Sequence, residues 1–162
     1  MKRFTQTAPI RFALVAALAL AGLAASAHCN KGGSGGAKKK AAEKIGNLSF
    51  HRDVKAAFAL AKKSGKPIFL DFYADWCVNC KLFNKLAVRD KTLNAALQKA
   101  VLVKIYDTDA AFREYAKKPY FQELNSGLPF FVVLSPDGKP RWKTQDYRNV
   151  AGMVKALGAA VP

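Results

Sequence analysis

Cys77 and Cys80 stand two residues apart in the stretch FYADWCVNCK, and Cys29 is the third cysteine of the 162-residue chain. Thiols at that spacing can bind a metal, close a structural disulfide, or carry electrons as a dithiol–disulfide pair. A structural zinc site takes four ligands, usually two such pairs or one pair with two histidines. The further candidates here are Cys29, His28 and His51, all remote in sequence, so no metal site is assigned. A Cu(I) site needs only two soft thiolates, and a copper-carrying module using the same pair is the rival reading. A structural disulfide across so short a loop removes little entropy from the unfolded chain and stabilises weakly.

Redox chemistry fits the placement best. The pair follows an apolar run, Pro67–Tyr73, that reads as a buried central strand. Cys77 should therefore open a helix, where unpaired backbone N–H groups and the helix dipole stabilise a thiolate. Cys77 would be the nucleophile, and Cys80, one turn on, would resolve the mixed disulfide. Asp71 interrupts the apolar strand. With Ile68, Leu70 and Phe72 on one face and Phe69 and Tyr73 on the other, both faces are too apolar for an exposed edge. A buried carboxylate there would have a raised pKa and could exchange a proton with Cys80. Pro129 follows Leu128 at the start of another strand; cis bonds belong to X–Pro pairs, and the spacing leaves the isomer open.

The elements that must hold these groups can be read from periodicity. Residues His51 to Ser64 place Val54, Ala57, Phe58 and Ala61 on one helical face, and Gly65 and Pro67 end the helix. Helix is expected again from Cys77 to Arg89, with Leu82, Phe83 and Leu86 inward, and from Thr92 to Lys99. Ala100–Tyr106 is a second buried strand. Ala110–Asn125 is helical with an interruption at Pro119. Leu128–Leu134 and Pro140–Lys143 form a hairpin around Pro136-Asp137-Gly138, and Asn149–Leu157 is a last helix. Strands separated by helices pair in parallel through right-handed crossovers, and the hairpin adds an antiparallel edge. The expected class is an α/β sandwich on a mixed sheet.

The ends bound where such a protein works. Lys2, Arg3 and Arg11 precede the uncharged run Phe12–Ala27, which closes on Ala25 and Ala27. That pattern fits a secretory signal over 1–27, cleaved after Ala27. Lipidation of Cys29 is the less favoured alternative, because His28 is not the small residue such sites take. Residues 28–44 are Gly-rich and then Lys-rich, without apolar periodicity, and read as a flexible linker to a domain over 45–162. The formal net charge is +16 at pH 7, which favours anionic partners and surfaces. The lysines are scattered over helices rather than clustered with aromatics, which argues against nucleic acid.

The segment WCVNCK, with DFYAD before it and Gly127-Leu128-Pro129 after it, resembles the thioredoxin superfamily. Within it the likeness is to the periplasmic C-terminal domain of the membrane reductase DsbD and its free-standing relatives, over most of 49–161. The resemblance implies a thioredoxin-like α/β/α sandwich and an exported, cofactor-free thiol–disulfide oxidoreductase. It carries the nucleophile to Cys77, the resolving thiol to Cys80 and the buried acid to Asp71. Pro129 matches the cis-proline beside the active site, and Leu128 lends backbone groups to a substrate strand. Trp76 matches the surface ring next to the nucleophile, and Lys104 the lysine near the buried acid. One position departs: DsbD-like domains carry a second acid four residues after the resolving cysteine, and here Asn84 stands there. Control of the Cys77 pKa is expected to differ accordingly.

Strong oxidants of this superfamily place a histidine between the cysteines, whereas Val78-Asn79 adds no charge, which favours the reducing direction. The expected partners are a membrane electron donor of the DsbD or CcdA type and disulfide-bonded periplasmic proteins, with the reductase itself a monomer.

Overall fold

The computed structural model describes residues 42–160. The expected signal, most of the expected linker and Cys29 lie outside the described residues. Among the described residues no helix is long and apolar enough to cross a membrane.

Six strands form one mixed sheet: β1 (Ala42–Ile45), β2 (Leu48–His51), β3 (Ile68–Tyr73), β4 (Val101–Tyr106), β5 (Phe130–Leu134) and β6 (Pro140–Thr144). Their order across the sheet is β1-β2-β4-β3-β5-β6. β4 pairs in parallel with β2 and β3, while β1–β2, β3–β5 and β5–β6 are antiparallel. The helices are α1 (Val54–Ser64), α2 (Val78–Arg89), α3 (Lys91–Gln98), α4 (Ala110–Ala116) and α5 (Val150–Ala159), with a 3₁₀ segment at Pro119–Asn125. This is the thioredoxin-like α/β/α sandwich expected from the resemblance.

Local chemistry sets the boundaries. The Asp53 side chain accepts from Ala56 N at 3.0 Å and starts α1. Gly65, at φ 68°, ends it in the left-handed conformation that glycine adopts most readily. Asp90 closes α2 and starts α3, accepting from Leu93 N at 2.8 Å. Lys118 is extended before Pro119, as the residue before a proline prefers, so α4 stops and the chain continues as 3₁₀.

The alternation of the strands divides the core. Ile68, Leu70 and Phe72 of β3, with Val101, Val103 and Ile105 of β4, face α1, α4 and the 3₁₀ segment. Phe69 and Leu102 face the opposite way, toward Phe83 and Ala87 of α2, Leu93 and Leu97 of α3, and Met153 and Leu157 of α5. Asp71 and Lys104 lie on this second face by alternation.

Two expectations change. The β1–β2 hairpin is not among the expected elements, and its first residues, Ala42–Lys44, fall in the expected linker because the lysine run before them masks a short alternating strand. Ala42 and Lys44 point out and Glu43 and Ile45 point in, and Gly46 at φ 58° makes the turn. Leu82 was expected inward but is 38% exposed, and α2 buries Cys80, Phe83 and Ala87 instead.

Candidate active site

β3 ends at Tyr73, and the chain turns through Ala74, Asp75 and Trp76 into α2. Cys77 is the N-cap of that helix, and its Sγ accepts from Cys80 N at 3.1 Å. The two sulfurs are joined as a disulfide, with Cα atoms 5.3 Å apart. Both cysteines are buried; Cys80 has no exposed surface, and Cys77, 4% exposed, is the more accessible of the two. Its neighbours Trp76 and Val78 are 69% and 68% exposed. The indole is held by a hydrogen bond from Nε1 to Asp107 Oδ2 at 2.8 Å. Tyr73, Ala74, Tyr106 and Leu128 pack around the pair. The Leu128–Pro129 peptide bond is cis.

Asp71 lies two residues from Phe69, which stacks on Phe83 of α2, and two from Tyr73, which packs on the cysteines. Strand geometry therefore sets its carboxylate beneath the first turns of α2. It is fully buried, and neither oxygen accepts a hydrogen bond. Burial pushes its pKa up to about 6, against the pull of Lys104 in the other direction.

Lys104 is the register partner of Asp71 on β4 and is itself fully buried. Its Nζ stands 3.4 Å from Asp71 Oδ2 and donates to Asn84 Oδ1 at 3.0 Å. The rings of Tyr73 and Phe50 flank the ammonium at 4.2 and 5.0 Å. Asn84, the position that departs from the DsbD pattern, is thus a ligand of the buried lysine.

Glu43, absent from the sequence reading, completes the cluster from β1. Its Oε1 is 3.4 Å from Lys104 Nζ, and its Oε2 accepts from Tyr106 Oη at 2.9 Å. Arg52 Nη1 approaches the same Oε2 at 3.5 Å, and Arg52 Nη2 pairs with Asp109 Oδ2 at 2.9 Å. Burial, then the bond to Glu43, pushes the Tyr106 phenol up. A signal for this hairpin was present in the sequence. Gly46-Asn47 between Ile45 and Leu48 is a two-residue turn pair of the kind that joins antiparallel strands.

A helix-capping thiol, a buried partner thiol and a buried acid on the strand behind them form a site competent for thiol–disulfide exchange. The profile of the thioredoxin-like family matches residues 49–136. The chain belongs to that family. Within it the chain resembles DsbD. It is 40% identical over 98 residues to the thiol:disulfide interchange protein DsbD of Salmonella typhimurium, a match covering 60% of this chain and 16% of that protein. With DsbD of Klebsiella pneumoniae the identity is 34% over 119 residues, covering 72% and 19%. The chain thus spans less than a fifth of these relatives. Among solved structures, the disulphide isomerase of Xylella fastidiosa Temecula1 superposes with a TM-score of 0.52 at 28% identity, covering 67% of this chain and 88% of that one.

Every site residue expected from the sequence falls into two connected groups in this thioredoxin-like domain. Cys77, Cys80 and Leu128 pack together in the outer, disulfide-bearing group, with Trp76 and Pro129 next to them along the chain. Asp71 and Lys104 belong to the buried one, to which Glu43 and Asn84 must be added.

Proposed function

We propose that the protein is an exported disulfide reductase that takes electrons from a membrane donor and passes them to disulfide-bonded proteins of the periplasm. The observation that carries this reading is Cys77 as the N-cap of α2, with uncharged Val78 and Asn79 before Cys80 and a buried acid behind. The Cys80 N–H that caps Cys77 Sγ would donate to a thiolate, and the dipole of α2 favours the same charge. A thiolate stabilised this way is nucleophilic near neutral pH. Without a positive charge between the cysteines it is not held so strongly that the reduced form becomes a sink.

The reaction balances as follows. Cys77 thiolate attacks one sulfur of the substrate disulfide, and the other substrate sulfur leaves as a thiolate that takes a proton. Asp71 accepts the Cys80 proton, and the Cys80 thiolate attacks Cys77 Sγ. The mixed disulfide breaks, the second substrate sulfur leaves as a thiolate that takes the proton from Asp71, and the Cys77–Cys80 disulfide remains. Two electrons have moved to the substrate, and a dithiol donor must return two to the protein. Leu128, beside the pair, presents its backbone to the substrate segment, and Trp76 and Val78 offer it an exposed apolar rim.

An insulin-reduction assay tests the proposal. Cys77→Ser is expected to lose at least about a thousandfold in turnover. Cys80→Ser should accumulate a mixed disulfide. The reduction potential should lie nearer thioredoxin's, about −270 mV, than DsbA's, about −120 mV. A DsbA-like value overturns the reducing direction. Stoichiometric Cu(I) uptake without turnover would favour a metal carrier over an enzyme.

A further inference from the structure

We propose that Glu43, delivered by the N-terminal hairpin, is a positioning residue of the exchange site: it draws Lys104 away from Asp71 and so keeps Asp71 able to take up and release a proton. The inference rests on the exchange chemistry proposed above, and its own basis is geometric. A buried ammonium beside a single buried carboxylate would close onto it and hold it ionised, since an opposite charge within a few ångströms lowers a carboxyl pKa by about 1–3 units. Such an Asp71 would be a poor base for Cys80. Here Lys104 Nζ is 3.4 Å from Asp71 and 3.4 Å from Glu43, and its hydrogen bond goes to Asn84. The 3.4 Å contact to Asp71 is long and poorly aligned for a hydrogen bond, so it holds the carboxylate weakly although it still pulls its pKa down. The ammonium is shared among three side chains from three elements, and Asp71 holds only part of it.

Glu43 is not a casual surface ion pair. Its two oxygens are divided between Lys104 on one side and Tyr106 and Arg52 on the other. Arg52 is fixed in turn by Asp109 and lies over the Tyr106 ring at 3.9 Å. The carboxylate therefore has one orientation, with Oε1 aimed at a fully buried lysine. Its negative charge also acts on Asp71 directly and in the same sense, favouring the protonated acid. The titratable and charged groups facing this centre are Asp71 and Tyr73 from β3, Lys104 and Tyr106 from β4, Glu43 from β1, Arg52 after β2, Asp75 in the turn, Asp109 before α4, and Cys77 and Cys80 at the start of α2. Among them, Glu43 and Lys104 act on Asp71 with opposite sign.

That opposition makes the test. The Asp71 carboxyl of the oxidised, full-length protein is titrated by ¹³C NMR, with near-UV circular dichroism to verify the fold of each variant. Glu43→Gln should lower the Asp71 midpoint by about half a unit to one unit, and Lys104→Met should raise it. Glu43→Asp should restore part of the wild-type midpoint. Tyr106→Phe, which removes a tie to Glu43 without changing charge, should shift it the same way as Glu43→Gln but less. It carries the test if Glu43→Gln does not fold. The pH profile of Cys80 attack on a trapped mixed disulfide should move by the same interval. A folded Glu43→Gln protein whose Asp71 midpoint stays within about 0.2 units of wild type, or rises, overturns the inference. The oxidoreductase reading fails separately, through a wild type that does not reduce insulin while its Asp71 midpoint still responds to Glu43.

Discussion

The two faces of β3 and β4 are built from the same two strands and serve opposite ends. Toward α1 and α4, Ile68, Leu70, Phe72, Val101, Val103 and Ile105 form an unbroken apolar layer. Toward α2, alternation places Asp71 between Phe69 and Tyr73, and Lys104 between Leu102 and Tyr106. The first face gains by burial and ring packing: Phe72 meets Phe112, Tyr115, Phe121 and Phe130 at centroid distances of 5.4–6.0 Å. The second face holds a carboxylate and an ammonium that water would solvate better, and burying such ions costs several kcal/mol each before their attraction is counted. Both sides of the sheet carry an apolar core, but the chemistry is confined to the second, where a buried ion pair interrupts it. A one-residue shift of register would exchange the faces, and a two-residue shift would keep them but separate Asp71 from Lys104.

The largest test of the contrast is on the packing side. Phe72 is fully buried, and Phe72→Ala should cost about 3–5 kcal/mol in urea unfolding. Because it lies across the sheet from the cysteines, the reduction potential of the folded fraction should hardly change. A loss below about 1 kcal/mol, or a large change in potential, would mean that the faces are not separated in this way.

Asp71→Asn should act with the opposite sign. Its folded pKa, raised to about 6 from 3.8, means that the native state binds more protons than the unfolded chain between these values. The contribution is therefore full at low pH and is lost as pH rises from about 4 to about 6, with a stability deficit of up to about 3 kcal/mol at pH 7. Asp71→Asn removes that deficit, so the oxidised variant should be more stable than wild type at pH 7 and lose its advantage near pH 4. Lys104 keeps Glu43 and Asn84 as partners, which limits the cost of the change. Turnover should slow by about a hundredfold as the base for Cys80 is removed. Equal or lower stability at pH 7 would show that Asp71 is a structural partner of Lys104 rather than a strained acid.

The contrast also explains what the sequence could reveal. A continuous apolar run marks a central strand, so a carboxylate inside it stands out, and the cysteine spacing after it fixes the helix start. Asp71, Cys77 and Cys80 were legible for that reason. Lys104, and the cis isomer at Pro129, were legible only through the resemblance, because a lysine in VLVKIY has no partner in its own segment and the spacing before FFVVL leaves the isomer open. Glu43 was hidden. Its strand has four residues, only two of which point inward, and its role depends on pairing with residues some sixty positions away. Short edge strands carry little periodic signal, and a charge that matters through a long-range contact carries none.

The smallest predicted effect probes that hidden element. Gly46 makes the β1–β2 turn at φ 58°, and a Cβ there would lie 2.8 Å from Val88 Cγ2. Val88 Cγ1 would also lie at 3.0 Å, and a valine within α2 has essentially one χ1 rotamer, so the contact adds to the backbone term. A non-glycine residue in the left-handed region costs about 1–2 kcal/mol, and Gly46→Ala should lower thermal stability by at least that amount. If β1 serves mainly to deliver Glu43, loosening it should also lower the Asp71 midpoint slightly, in the direction of Glu43→Gln. Phe72→Ala, though far more destabilising, should leave that midpoint in place. The pair of variants thus separates loss of packing from loss of the charge that the hairpin brings to the redox face. A Gly46→Ala protein that loses stability with no movement of Asp71 would make β1 a simple edge strand.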